Sequence, residues 1–136
     1  MAAVSEAGWA TEVYGTGWSA KQLFCHIAAD SSIAGMLIAL AKMPAGARAP
    51  APEIEVDDWN ARQVANRQDK PIEELLEELR RNVERDIQLV RSEPDETFAL
   101  HFRAPWGEEG LVSDLIMKTI SGHFLSHLAD LRAAAG

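Results

Sequence analysis

The stretch SDLIMKTISGHFLSHLADLRAA, residues 113–134, decides the fold that we predict for this chain. Its apolar residues recur every three or four positions, which is the period of an α-helix that buries one face. Those residues are Leu115, Ile116, Ile120, Phe124, Leu125, Leu128 and Leu131. The pattern predicts one continuous helix that begins with Ser113 as its N-cap and reaches roughly to Ala134.

Two histidines in this stretch, His123 and His127, are four residues apart, so their imidazoles project from neighbouring turns of one helix face. A pair with this spacing can hold one divalent metal ion. A third ligand must come from elsewhere, and His26, inside another long apolar segment, is the candidate. Three protein nitrogens would leave coordination positions open for water or substrate. Ordinary helix histidines with local hydrogen bonds are the alternative, and the residues alone do not decide between the two.

Other polar residues near these histidines have plainer expected roles. Asp30 and Asp130 each lie within one turn of a histidine, so either carboxylate can orient an imidazole or accept a proton, although surface positions are commoner. Cys25 points about 100° away from its neighbouring histidine round the helix, and we expect it to be a small buried hydrophobe. His101 is expected at the surface or, at most, next to a metal ligand without binding the ion itself.

The rest of the sequence predicts an all-α single domain over residues 1–136, with three long helices and a short one packed as a bundle. Residues 1–17 show no sustained period and are expected to be mostly irregular. A helix capped by Ser19 follows to about Met43, and a proline-rich loop covers 44–56. A short polar helix over 57–68, a long amphipathic helix from Pro71 to about Glu93, and a loop with room for short extended pieces over 97–110 complete the chain.

Composition excludes several classes of function. The formal net charge of −8 argues against nucleic-acid binding, which needs a basic surface, and against binding to anionic membranes. We find no stretch of about 18 apolar residues and therefore expect no membrane span. The first residues lack the basic and apolar regions of a secretory signal, and Cys25 is the one cysteine. These features predict a soluble protein of the reducing cytosol.

Several motifs resemble, in the same order, those of DinB-like proteins. Residues 17–27, GWSAKQLFCHI, resemble the family's opening motif GWS-x-K-x-L-x-x-H-I. Residues 58–65 (DWNARQVA) and 71–79 (PIEELLEEL) resemble its middle, and residues 105–107 (PWG) and 122–127 (GHFLSH) its end. The resemblance covers residue 17 to the C-terminus.

The resemblance implies a four-helix bundle with a three-histidine metal site, in which His26, His123 and His127 are the ligands. The family includes metalloenzymes and thiol-dependent transferases or isomerases that use thiols such as mycothiol or bacillithiol. Its members usually have a full helix before the GWS motif, whereas only 17 largely irregular residues precede it here. A bundle whose first helix is short or missing would expose apolar faces. We therefore expect either a homodimer that covers them or a chain that begins later than a fuller relative.

The leading hypothesis is thus a metal-dependent enzyme, a thiol S-transferase or related hydrolase acting on a small-molecule substrate. The cofactor would be a divalent ion, with zinc, nickel and iron all acceptable to imidazole ligands. No general base or nucleophile is evident in the sequence. The alternative is a non-catalytic helical module that binds a metal ion or a small molecule, and a histidine cluster with a purely structural role is the third hypothesis.

Overall fold

A computed structural model of the chain describes residues 4–44 and 55–136. In chain order the elements are α1 (Glu6–Ala10), α2 (Ala20–Asp30), α3 (Ile33–Lys42), α4 (Val56–Ala65), α5 (Ile72–Ser92), α6 (Asp95–Phe98), β1 (His101–Arg103), β2 (Glu109–Leu111), α7 (Val112–Met117), a π-helical segment (Lys118–Phe124) and α8 (Leu125–Ala135). The all-α fold is confirmed, because helices make up most of the described residues and the two strands form only a short antiparallel hairpin.

Helices α2 and α3 lie in the middle of the described bundle. The first packs against α4, α5 and α8, and the second packs against α5, α6 and α7. Buried clusters around Leu23 and Phe24 join α2 to its neighbours, and a third cluster around Leu37 joins α3 to α7 and β1. A side chain on the inner face of α2 is therefore enclosed by several helices, and His26 occupies such a position.

The helix predicted from Ser19 to Met43 begins as expected but is not continuous. Ser19 and Gln22 form a capping box, in which each side chain accepts a hydrogen bond from the other residue's backbone N–H. The prediction of one helix was wrong beyond that point, since α2 ends at Asp30 and α3 begins at Ile33.

Side chains from α5 stabilise the break between α2 and α3. The Ser31 hydroxyl donates to the carbonyl of Ala28 over 2.6 Å and accepts a hydrogen bond from Asn82 Nδ2 over 2.9 Å. The backbone N–H of Gly35, in the first turn of α3, donates to Asp86 Oδ2 over 3.1 Å. The first-turn N–H groups of a helix have no partner within it, so Asp86 caps α3 from a neighbouring helix.

Contrary to our expectation, the chain does contain a segment that is long and apolar enough to cross a membrane. Residues Ala20–Lys42 have a mean hydropathy of 1.7 over the most apolar window, and 56% of that window is buried inside the structure. By length and composition alone, the core helix of a soluble protein passes the same test. Here the segment forms the two central helices of the bundle.

The C-terminal helix differs from its prediction in two ways. It begins after Leu111 rather than with Ser113 as the N-cap, and a π-helical segment interrupts it between α7 and α8. A π turn contains more residues than an α turn, so it changes which side chains point towards the core. Three residues predicted for the core are exposed as a result. These residues are Ile120, Leu125 and Leu128.

Smaller differences concern the ends of the other elements. The lead-in 1–17 contains the five-residue helix α1, so a short helix is present where a full one was expected in the family. Pro71 is the N-cap of α5 rather than its first helical residue. The predicted loop 97–110 contains the short extended pieces expected there, which form the β1–β2 hairpin, and it also contains the end of α6. Most of the predicted loop 44–56 lies outside the described residues.

Candidate metal centre

The structure brings the three predicted histidines together. His26 comes from the inner face of α2, His123 from the end of the π-helical segment and His127 from the first turn of α8. The ring centroid of His26 lies 5.1 Å from that of His123 and 5.0 Å from that of His127, and the latter two are 4.3 Å apart. One ring nitrogen of each residue lies within 4.8 Å of one of each other residue.

The separation of one nitrogen of His26 from one nitrogen of His123 fits a single metal ion. His26 Nε2 lies 3.0 Å from His123 Nε2. Two nitrogens that bind one ion at about 2.1 Å, at right angles to each other, are about 3 Å apart. The three-histidine group could therefore bind a divalent metal ion without rearrangement of these two rings.

Several ring nitrogens at this site have no hydrogen-bond partner among the residues that the structure describes. These are Nδ1 of His26 and both nitrogens of His127, and all three atoms are buried. A buried polar atom without a partner costs free energy, and most such atoms in proteins are paired. A metal ion bound by one nitrogen of His127 would remove part of that cost.

The environment of the rings favours their neutral form. Burial lowers the pKa of His26 below its ordinary value of 6.5, the Asp30 carboxylate opposes this effect, and the two neighbouring imidazoles lower the pKa further. Burial also lowers the pKa of His127. Neutral imidazole has the free lone pair that metal binding requires, so these two rings need not lose a proton to bind an ion near neutral pH.

One side of the site is closed and the other is open. The ring of Trp18 lies against His26, with ring centroids 5.3 Å apart, and His26 itself is 2% exposed. The side chain of His123 is 39% exposed. A small molecule from solvent would therefore approach from the side of His123, while Trp18 and the core exclude water from the opposite side.

The two aspartates considered beside the histidines have different positions. Asp30 Oδ2 lies 3.4 Å from His26 Nε2 and 3.3 Å from His123 Nε2, and its side chain is 14% exposed. Asp130 Oδ2 lies 4.0 Å from Nδ1 of His127, and its side chain is 49% exposed. Asp30 thus belongs to the centre, and Asp130 lies at its edge.

The residues that we expected outside the centre are outside it. His101 is exposed on β1. Cys25 is fully buried with Phe24, Val64 and Leu75, and burial raises the pKa of its thiol, so it is the small buried hydrophobe predicted.

Sequence reasoning missed the π-helical segment that carries His123. Its weak signal in the sequence is Gly122, a poor helix former in the middle of an otherwise helical run. Single-turn π-helical insertions often occur at functional sites, because the extra residue re-aims the side chains that follow. Here the π-helical segment rotates the following residues about the helix axis, so that His123 and His127 both point towards α2.

Comparison with known protein families supports the resemblance to DinB-like proteins at the level of the superfamily. Residues 1–132 match the family model described as the mycothiol maleylpyruvate isomerase N-terminal domain. This family is part of the DinB-like helical superfamily, whose members often bind metals. No curated protein and no solved structure gives a significant match to the chain.

Proposed function

Because this chain belongs to the mycothiol maleylpyruvate isomerase N-terminal domain family, we propose that it is a metal-dependent enzyme that acts on a low-molecular-weight thiol. The reaction would be an S-transfer or a related hydrolysis. The single observation that carries the proposal is the approach of His26 Nε2 to within 3.0 Å of His123 Nε2, beside His127. The family's name supports a thiol as the substrate class.

In this proposal His26, His123 and His127 hold the ion, and zinc, nickel and iron are all acceptable to imidazole ligands. A bound divalent ion lowers the pKa of a thiol or a water molecule, so that the deprotonated nucleophile is present near neutral pH. Because His26 is enclosed by the core and by Trp18, its ring is held in one orientation. The exposed edge of His123 leaves room for the thiol.

The proposal is tested by exchanging one ligand and one remote histidine. His123→Ala should remove both bound metal and thiol-dependent turnover, measured as loss of free mycothiol in the presence of an electrophilic acceptor. His101→Ala is the matched control, because His101 is exposed on β1 away from the centre. Equal turnover by the wild type and the His123→Ala variant would contradict a catalytic role for the site.

The alternative is a non-catalytic helical module that binds a metal ion or a small molecule. It is favoured by the scarcity of reactive groups, since Asp30 is the one described carboxylate within hydrogen-bond reach of two of the site's ring nitrogens. A module of this kind would bind metal through His123 and show no turnover with any thiol and acceptor pair.

We further propose that the chain acts as a single domain in a reducing compartment such as the cytosol. Cys25, the one cysteine of the sequence, is buried and cannot form a disulfide within the chain. Fractionation of cells that express the untagged chain would test the location.

A further inference from the structure

Three donor atoms at the centre form a small triangle. Its corners are His26 Nε2, His123 Nε2 and Asp30 Oδ2, and its edges are 3.0, 3.3 and 3.4 Å long. Three atoms at these separations can all lie about 2.1 Å from one ion placed just above their plane, which is an ordinary metal–ligand distance for nitrogen and carboxylate oxygen. The triangle therefore has the dimensions of one face of a coordination sphere.

The position of Asp30 in its helix also indicates a cationic partner. Asp30 is the last residue of α2, and the C-terminal end of a helix carries a partial negative charge that disfavours a carboxylate. Its side chain is 14% exposed, so solvent only partly compensates this arrangement. Within the described part of the chain, the basic groups recorded within 4 Å of its carboxylate are the two imidazoles.

We propose that Asp30 is a fourth protein donor to the metal ion, so that the centre consists of three imidazoles and one carboxylate. This inference rests on the proposed metal site and assigns a ligand beyond the three histidines. The carboxylate would reduce the net charge of a bound divalent ion and its ligands from two to about one. An ion held by these four donors and coordinated by five or six ligands would keep one or two positions for water or a thiol, which the borderline ions zinc, nickel and ferrous iron allow.

The test compares metal binding by the purified full chain and its variants. Asp30→Asn keeps the size of the side chain and removes its charge, and Asp57→Asn, at an exposed position in α4, is the matched control. Zinc affinity is measured by competition with a chromophoric chelator. The visible absorption spectrum of the cobalt(II)-loaded protein reports the number and type of ligands. Circular dichroism confirms that each variant is folded.

We expect Asp30→Asn to weaken zinc binding at least about 10-fold and to change the cobalt(II) spectrum. Asp57→Asn should stay within about twofold of the wild type and keep its spectrum. Unchanged affinity in Asp30→Asn would overturn the proposal, and so would weaker binding with an unchanged spectrum, because the carboxylate would then act from outside the coordination sphere. If the wild type itself binds no zinc or cobalt, the proposed function fails rather than the role of Asp30 alone.

Discussion

At the scale of single residues, Asp86 is a buried carboxylate whose ionisation opposes folding. Burial raises its pKa above the ordinary value of 3.8, and the hydrogen bond from the Gly35 N–H compensates only part of that effect. The folded chain therefore keeps this proton to a higher pH than the unfolded chain does. Between the two pKa values the folded state binds more protons, so the contribution of Asp86 to stability falls as the pH rises through that window.

The free energy of unfolding of the Asp86→Asn variant should consequently increase relative to that of the wild type as the pH rises from about 4 to about 7. The amide oxygen can still accept the hydrogen bond from Gly35, while the buried charge is removed. The measurement is urea unfolding of both proteins across this range, with Asp57→Asn, at an exposed position in α4, as the control. A stability difference between variant and wild type that is constant with pH would contradict this account.

The three histidines show how far single residues could be predicted. The spacing of His123 and His127 and the apolar context of His26 were enough to select residues that the structure brings within reach of one another. The sequence did not decide whether Asp30 lies close to these rings. A residue one helical turn from a histidine can have its side chain either at the site or in solvent, and the structure places Asp30 beside two of the rings. That choice depends on how α2 meets the C-terminal helix, which is a tertiary contact.

At the scale of elements, local signals predicted where several helices begin and failed to predict where helices are interrupted. The capping box at Ser19 and the periodicity of α5 are contained in the residues themselves. The break after α2 depends on Asn82 and Asp86, which lie 51 residues away from their partners in sequence. No window of neighbouring residues contains that information, so the apolar run was predicted as a single helix.

Two glycines at these interruptions should respond in opposite ways to substitution by alanine. A Cβ atom at Gly35 would lie 2.6 Å from Asp86 Oδ1, whereas a Cβ at Gly122 has no heavy atom within 4 Å. Gly35→Ala must displace the carboxylate that caps α3, so we expect a loss of about 1 to 2 kcal/mol of unfolding free energy. Gly122→Ala should gain about 0.5 to 1 kcal/mol, because alanine restricts the unfolded chain more than glycine does.

Chemical denaturation of the two variants beside the wild type measures both effects. Asp86→Ala combined with Gly35→Ala provides the control, because removal of the carboxylate should remove most of the penalty at Gly35. Similar effects of the two alanines in the wild-type background would show that the close approach of α3 and α5 is not as described.

At the scale of the whole molecule, α5 carries an apolar face that the described part of the chain does not cover. Four residues at helical spacing, each between 37 and 46% exposed, form this face: Leu76, Val83, Ile87 and Val90. Along α5 as a whole, glutamates occupy the first turns and arginines the later ones, with Glu84 and Asp86 as the acidic exceptions. The two groups are Glu73, Glu74, Glu77 and Glu78, followed by Arg80, Arg81, Arg85 and Arg91.

We propose that this face pairs with the same face of a second copy in an antiparallel homodimer. In that arrangement the acidic start of one α5 faces the basic end of the other, and a twofold axis passes near Val83. Sedimentation velocity of the wild type should show a dimer at micromolar concentration. Val83→Lys should give a monomer, because it places two like charges at the axis, while Tyr14→Ser should leave the dimer intact. A wild type that sediments as a monomer at all concentrations would contradict the proposal.

The proposed function requires that His26, His123 and His127 bind one metal ion together. Elemental analysis of untagged protein, with the wild type beside the His26→Ala and His123→Ala variants and the His101→Ala control, tests it most directly. We expect about one divalent metal ion per chain in the wild type and the control, and loss of that ion in both other variants. A wild type that binds no metal ion, even after incubation with zinc, nickel or ferrous iron, would contradict it.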